Sequence, residues 1–206
     1  MMTLERDGDR GCGMKRLNIK QYLTKGALTN PNNLTIMRMA SVPLIVILLF
    51  FPQSRIATIL AALIFSVASI TDYFDGYFAR KWGMESTFGK VMDPLADKLL
   101  VGCSLIMMAS HGWIPGWIVC VIIGREIAIT GLRTVIVESG EDAGASQLGK
   151  YKTGFQIAAI IPLLIHYKFL WLNVHGIGMF FLWCALGLTI WSGADYFFKF
   201  RKLLAK

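Results

Sequence analysis

A chain of 206 residues that is 55% hydrophobic, with a mean hydropathy of +0.54, holds more apolar sequence than one soluble domain of that size normally buries. Its formal charge is +8 and its pI about 9.5, a balance that nucleic acid would attract. The basic residues, however, cluster between apolar runs and not along one polar face, which argues against nucleic acid as a partner and for a lipid bilayer.

In chain order, residues 1–13 read as a disordered start. Met14 to Leu28 is polar and basic, with Leu17, Ile19, Tyr22 and Leu23 as its apolar positions, the pattern of a short amphipathic helix lying on a membrane surface. Residues 1–29 are therefore read as an N-terminal extension. No cleavable signal peptide is expected, because the first long apolar run begins far into the chain and lacks a small-residue cleavage site. Six apolar segments of roughly membrane-spanning length follow: Leu34 to Phe51, Ile56 to Phe78, Val91 to Ala109, Trp113 to Val137, Phe155 to Tyr167 with its flanks, and Ile177 to Phe198. The predicted fold class is an all-α integral membrane protein with six transmembrane helices. No repeat or linker divides residues 30–206, which form one membrane domain.

Short cytoplasmic connections carry the excess of Lys and Arg. Lys15, Arg16, Lys20 and Lys25 precede helix 1; Arg80, Lys81 and Lys90 lie between helices 2 and 3; Lys150 and Lys152 lie between 4 and 5; Lys199, Arg201, Lys202 and Lys206 form the tail. All fall on one side, against only Arg55 and Lys168 on the other, so both termini are predicted to be cytoplasmic. Cys12, Cys103, Cys120 and Cys184 show no paired spacing and carry no chemistry. His111, His166 and His175 fall near helix ends on the outer side, and are expected to be isolated from one another and to pack at the interface.

The chemistry concentrates at the inner end of helix 2 and the start of helix 3, where the chain reads Asp72-Tyr-Phe-Asp75-Gly76-Tyr-Phe-Ala79-Arg80 and then Gly89-Lys-Val-Met-Asp93-Pro-Leu-Ala-Asp97. Residues three and four apart share a helix face, so Asp72, Asp75, Gly76, Ala79 and Arg80 form one stripe and Gly89, Asp93 and Asp97 another. An ionised Asp near hydrocarbon costs roughly 2.5–3.5 kcal/mol on insertion scales, and clustered like charges cost more. A divalent cation resolves this. Carboxylate oxygens are hard ligands suited to Mg, Mn or Ca, and the lack of His or Cys beside them argues against zinc. Asp72, Asp75, Asp93 and Asp97 are thus metal-ligand candidates for two ions able to clamp a pyrophosphate. Gly76 and Ala79 leave room for a nucleotide against the backbone, and Arg80 offers a planar fork of donors for phosphate.

Asp72-x-x-Asp75-Gly76-x-x-Ala79-Arg80, eight residues, then Gly89-x-x-x-Asp93-x-x-x-Asp97 resembles the signature of the CDP-alcohol phosphotransferases at every position. Asn30 to Arg38 with Pro43, Arg125-Glu126-Ile127 through Gly131-Leu132-Arg133, and Gly149 to Thr153 with Gln156 are similar to a bacterial branch of that family whose acceptor is glycerol 3-phosphate. The resemblance implies a six-helix fold, often a homodimer, in the bacterial inner membrane with its active site facing the cytoplasm. It implies that Asp72, Asp75 and Asp93 hold two Mg2+ or Mn2+ ions, that Asp97 is the general base, and that Asp72, Gly76, Ala79, Arg80 and Gly89 bind CDP-diacylglycerol.

The acceptor's own phosphate calls for a second basic site. Arg125 and Arg133, inside predicted helix 4 where a bare guanidinium is costly, and Lys150 and Lys152, at the mouth of helix 5, are the candidates, with Arg38 within possible reach. Two other readings place acids in membrane helices: a sibling enzyme using serine, an inositol phosphate or phosphatidylglycerol as acceptor, and a divalent-cation transporter. The transporter reading expects carboxylates across the membrane, and helices 1, 5 and 6 offer none at mid-depth.

Overall fold

The computed structural model describes residues 31–82, 87–138, 147–167 and 173–204, with side chains there except at 31–34, 72–82, 87–91, 147–148, 150 and 199–204. The expected surface helix over Met14–Leu28 lies outside these residues. Among them are six α-helices and no strand: α1 Pro31–Leu49, α2 Arg55–Trp82, α3 Thr87–Ser110, α4 Gly116–Glu138, α5 Gln147–Ile165 and α6 Val174–Leu204. Each of the six long predicted segments holds a helix, and the boundaries shift for local reasons.

Pro31 opens α1, where its fixed φ suits the first helical turn. Ser54 caps α2, its Oγ accepting from the Ala57 N–H at 3.4 Å. The helix then runs past Phe78 to Trp82, so Ala79 and Arg80 remain helical. The end of α3 is a Schellman turn: Gly112 takes φ 71°, its N–H reaches the Ala109 carbonyl, and the Trp113 N–H reaches that of Met108. With Pro115 following, α4 starts at Gly116 and not at Trp113. Asn173 caps α6 through Oδ1 to the Gly176 N–H at 3.1 Å, three residues before the predicted start. The largest revision is α5, which begins at Gln147, so Lys150 and Lys152 sit in its opening turns and not in a loop.

Among the described residues α1 packs on α2 and α3, α2 on α5, α5 on α6, α6 on α4 and α4 on α3, closing a ring that α3 and α5 bridge across its middle. The core follows from small and branched residues at helical spacing: Ala61, Ala62 and Phe65 of α2, Leu100 and Leu105 of α3, Ala159, Ile160 and Leu163 of α5, all nearly inaccessible. Outward, Ile36, Val67, Ile106, Ile127, Phe180 and Trp191 are exposed, the reverse of a soluble surface. Among the described residues Val174–Phe198 is the one stretch long and apolar enough by itself to cross a bilayer, and only 28% of its most apolar window is buried, unlike the core helix of a soluble protein.

At Gly178 the α5 and α6 backbones nearly touch: an added Cβ would lie 2.6 Å from Leu163 Cγ and 3.1 Å from its backbone nitrogen. Small residues permit this approach in membrane bundles. Gly178→Ala is expected to destabilise the fold by about 1–3 kcal/mol, seen as a lower melting temperature in detergent, whereas Gly187→Ala, with nothing within 4 Å of its would-be Cβ, leaves it unchanged.

The three histidines are not isolated from one another. His166 closes α5 in the left-handed region (φ 52°), stacks on Trp113 at 4.5 Å and 12°, and meets His175 edge-on at 5.0 Å. His111 lies 5.4 Å from Trp113, and its Nε2 donates to the Leu49 carbonyl at 2.7 Å. Tyr167 donates to the Pro52 carbonyl at 3.3 Å beneath the Arg55 guanidinium. Apolar loop residues hid this, because turns at one end of a bundle converge whatever their spacing in sequence.

Burial, and secondarily the facing His175, push the His166 imidazole below its usual range. The folded protein therefore binds this proton less readily than the unfolded chain does, so stability is lost as pH falls through the unfolded value of about 6.5. Melting temperature is expected to drop between pH 7 and pH 5.5, and to drop less in His166→Phe, which keeps an aromatic ring against Trp113.

Candidate active site

α2 carries Asp72 and Asp75 in continuous helix near its C-terminal end, with Gly76, Ala79 and Arg80 on the same face by register; α3 carries Gly89, Asp93 and Asp97 in the same way. The side chains of Asp72, Asp75, Gly76, Ala79, Arg80 and Gly89 lie outside those described. α1, in contact with both helices, holds the visible part of the carboxylate site. Thr35, fully buried on α1, donates its hydroxyl to Asp93 Oδ1, and Arg38 Nη1 lies 3.8 Å from the same oxygen. Asp93 is nonetheless 46% exposed. A carboxylate fixed from one side and open on the other fits a hard divalent cation, with Thr35 as the kind of outer partner that orients a metal ligand. Asp97, one turn further along α3, is half-buried.

Arg38, also a candidate for the acceptor phosphate, is thus placed on α1 beside Asp93, where α1 docks on α2 and α3.

The other cations meet on α4. Lys98, next to Asp97, donates to Thr130 Oγ1, whose own hydroxyl donates to the Glu126 carbonyl at 2.6 Å. One turn away on α4, Glu126 Oε1 accepts from Lys152 Nζ of α5 and lies 3.8 Å from Arg125 Nη1. Arg125 in turn donates from Nη2 to Ser192 Oγ of α6 at 2.9 Å. Gly193 is what lets it pass: a Cβ there would sit 3.3 Å from Arg125 Cγ. Arg133 lies over the buried Tyr196 ring at 5.9 Å, an arginine held by a π face.

Of the acceptor candidates, then, the structure joins Arg125 and Lys152 through Glu126, places Arg133 two turns along α4 against α6, and leaves the Lys150 side chain outside the description. Glu126 forms a bridge between helices, since Lys152 on α5 faces it directly. Sequence reasoning missed Thr35, Lys98 and Ser192. Lys98 had a signal, being a cation inside an apolar helix; Thr35 and Ser192, small hydroxyls that helices tolerate anywhere, had none.

Among the described side chains, Asp93 and Asp97 supply hard oxygen donors on the helix whose Lys98 joins it to the partly buried Arg125, Glu126 and Lys152. Comparison with known proteins identifies the family. The family described as CDP-alcohol phosphatidyltransferase matches residues 28–191. A Bacillus subtilis protein named CDP-diacylglycerol–glycerol-3-phosphate 3-phosphatidyltransferase is 41% identical over 180 residues, 82% of this chain and 93% of the relative. Proteins of the same name from Rickettsia bellii and Salmonella typhimurium are 41% and 36% identical, over 84% and 81% of this chain and 95% and 91% of their own lengths.

Proposed function

The chain belongs to the CDP-alcohol phosphatidyltransferase family, and from that premise we propose that it is a phosphatidylglycerophosphate synthase, transferring the phosphatidyl group of CDP-diacylglycerol to sn-glycerol 3-phosphate. The observation that carries the choice of acceptor is the Arg125–Glu126–Lys152 cluster, tied through Thr130 and Lys98 to the helix that bears Asp93 and Asp97. An acceptor with its own phosphate needs such a cluster near the reacting carboxylates, and its relatives' names carry that acceptor.

In the proposed reaction the sn-1 hydroxyl of glycerol 3-phosphate attacks the phosphatidyl phosphorus, the new P–O bond forms as the bond to CMP breaks, and Asp97 takes the hydroxyl proton. Asp72, Asp75 and Asp93 would hold two Mg2+ or Mn2+ ions, which when bound neutralise charge on the pyrophosphate and the leaving group. Thr35 keeps Asp93 turned towards that position. Gly76, Ala79 and Gly89 leave space for the cytidine nucleotide, with Arg80 at its phosphates. Arg125, Arg133, Lys150 and Lys152 receive the acceptor phosphate. No Ser, Cys or His is placed for a covalent intermediate among the described residues of this cluster, in keeping with direct displacement.

All six helices are proposed to cross the bacterial inner membrane, supported by the outward apolar residues and by lengths of 19 residues or more. The termini and site face the cytoplasm, where basic residues concentrate, and the enzyme works as a homodimer. The deciding experiment is CMP release by purified protein in detergent with CDP-diacylglycerol, Mg2+ or Mn2+, and one alcohol at a time. Release that requires glycerol 3-phosphate and metal is expected. Release only with serine, an inositol phosphate or phosphatidylglycerol would reassign the acceptor; metal flux into liposomes with no CMP release would mean transport.

A further inference from the structure

Glu126 is an acid where the proposed chemistry asks only for cations. It sits within α4, exposed by 20%, between Lys152 at 5% and Arg125 at 15%, and both cations address the same oxygen, Oε1. An ion pair buried in this way adds little net stability over an apolar contact, because desolvation offsets the attraction. Ionisable groups retained in membrane helices serve substrates more often than packing. The trio also remains one positive charge in excess, so it is a place where a second anion is welcome.

We infer that Glu126 is the resident counter-ion of the acceptor site: it neutralises Lys152 and Arg125 while the site is empty, and the acceptor's phosphate displaces it from them. This rests on the acceptor reading above. The consequence is selectivity. A phosphate dianion replaces what the cations lose when Glu126 withdraws, whereas an alcohol without an anionic group leaves them paired with the carboxylate and gains no foothold. Glu126 is thus a specificity-determining residue whose charge competes with substrate, and its removal strengthens acceptor binding.

The test measures KM and kcat for glycerol 3-phosphate by CMP release with the full-length chain in detergent, for wild type, Glu126→Gln and Glu126→Asp, together with calorimetric binding of inorganic phosphate in the absence of CDP-lipid. Glu126→Gln is expected to lower the KM and tighten phosphate binding by about tenfold each, the scale of one charge-assisted hydrogen bond no longer contested. A KM that stays put or rises, with phosphate binding unchanged or weaker, overturns the inference and makes Glu126 a positioning residue for Lys152. If the Gln variant does not elute as folded protein, Glu126→Asp carries the same sign at smaller size, and a KM for it at or above wild type is equally fatal. Wild type that does not saturate with glycerol 3-phosphate would instead remove the acceptor reading itself.

Discussion

Asp97→Asn is expected to reduce CMP release by about 100- to 10,000-fold at saturating substrates, the range spanned by loss of a positioned general base. Asn keeps the size and one oxygen of the carboxylate, so the half-buried site on α3 has no packing reason to collapse. What vanishes is the capacity to accept the hydroxyl proton. Asp97 is also a metal-ligand candidate by spacing, and the two roles separate in a second measurement. A base gives a kcat loss with Mn2+ affinity retained, measured by titration of the metal's spin signal; a ligand gives loss of both. Asp93→Asn is the companion. Held by Thr35 yet open on its other side, Asp93 is expected to lose metal affinity first and activity in consequence, with partial recovery at high Mn2+.

Arg125→Ala is expected to raise the KM for glycerol 3-phosphate by about 10- to 100-fold, the equivalent of one charge-assisted hydrogen bond, with a smaller effect on the KM for CDP-diacylglycerol. The geometry makes the distinction sharp. Arg125 is anchored at Nη2 by Ser192 and passes over Gly193, so its guanidinium is held in place before any acceptor arrives. Arg125→Lys should recover little, since an ammonium cannot hold Ser192 and a phosphate in one plane. Ser192→Ala should cost less than either, loosening the guanidinium without removing it. If Arg125→Ala alters the two KM values alike, the cluster serves the fold and not the acceptor.

How much of this was legible beforehand depended on what each residue needs from its surroundings. Helix number and order were legible because a bilayer demands uninterrupted apolar runs, and the family was legible because carboxylates beside hydrocarbon, from Asp72 to Asp97, need a reason and their spacing matches its signature. The start of α5 was not. Lys150 and Lys152 look like loop residues until Glu126, more than twenty positions earlier, is seen to neutralise Lys152 inside the bundle. The closeness of Arg38 to Asp93 was not legible either, because sequence does not say that α1 lies against α3. The histidines failed in the same way: each is unremarkable in its own turn, and only the convergence of turns around Trp113 brings them together.

That convergence has a mechanical side. Tyr167 ties the α5–α6 turn to the α1–α2 turn through the Pro52 carbonyl, His111 ties the α3–α4 turn to the last residue of α1, and the Trp113–His166 stack joins what remains. All of these stitches lie at the end away from the carboxylates. The other half of the bundle is tied as well, by Thr35 to Asp93 between α1 and α3, Lys98 to Thr130 between α3 and α4, Lys152 to Glu126 between α5 and α4, and Arg125 to Ser192 between α4 and α6. A frame tied in both halves holds Asp93 and the α4 cations in register with each other, so the proposed site needs little rearrangement before its substrates arrive.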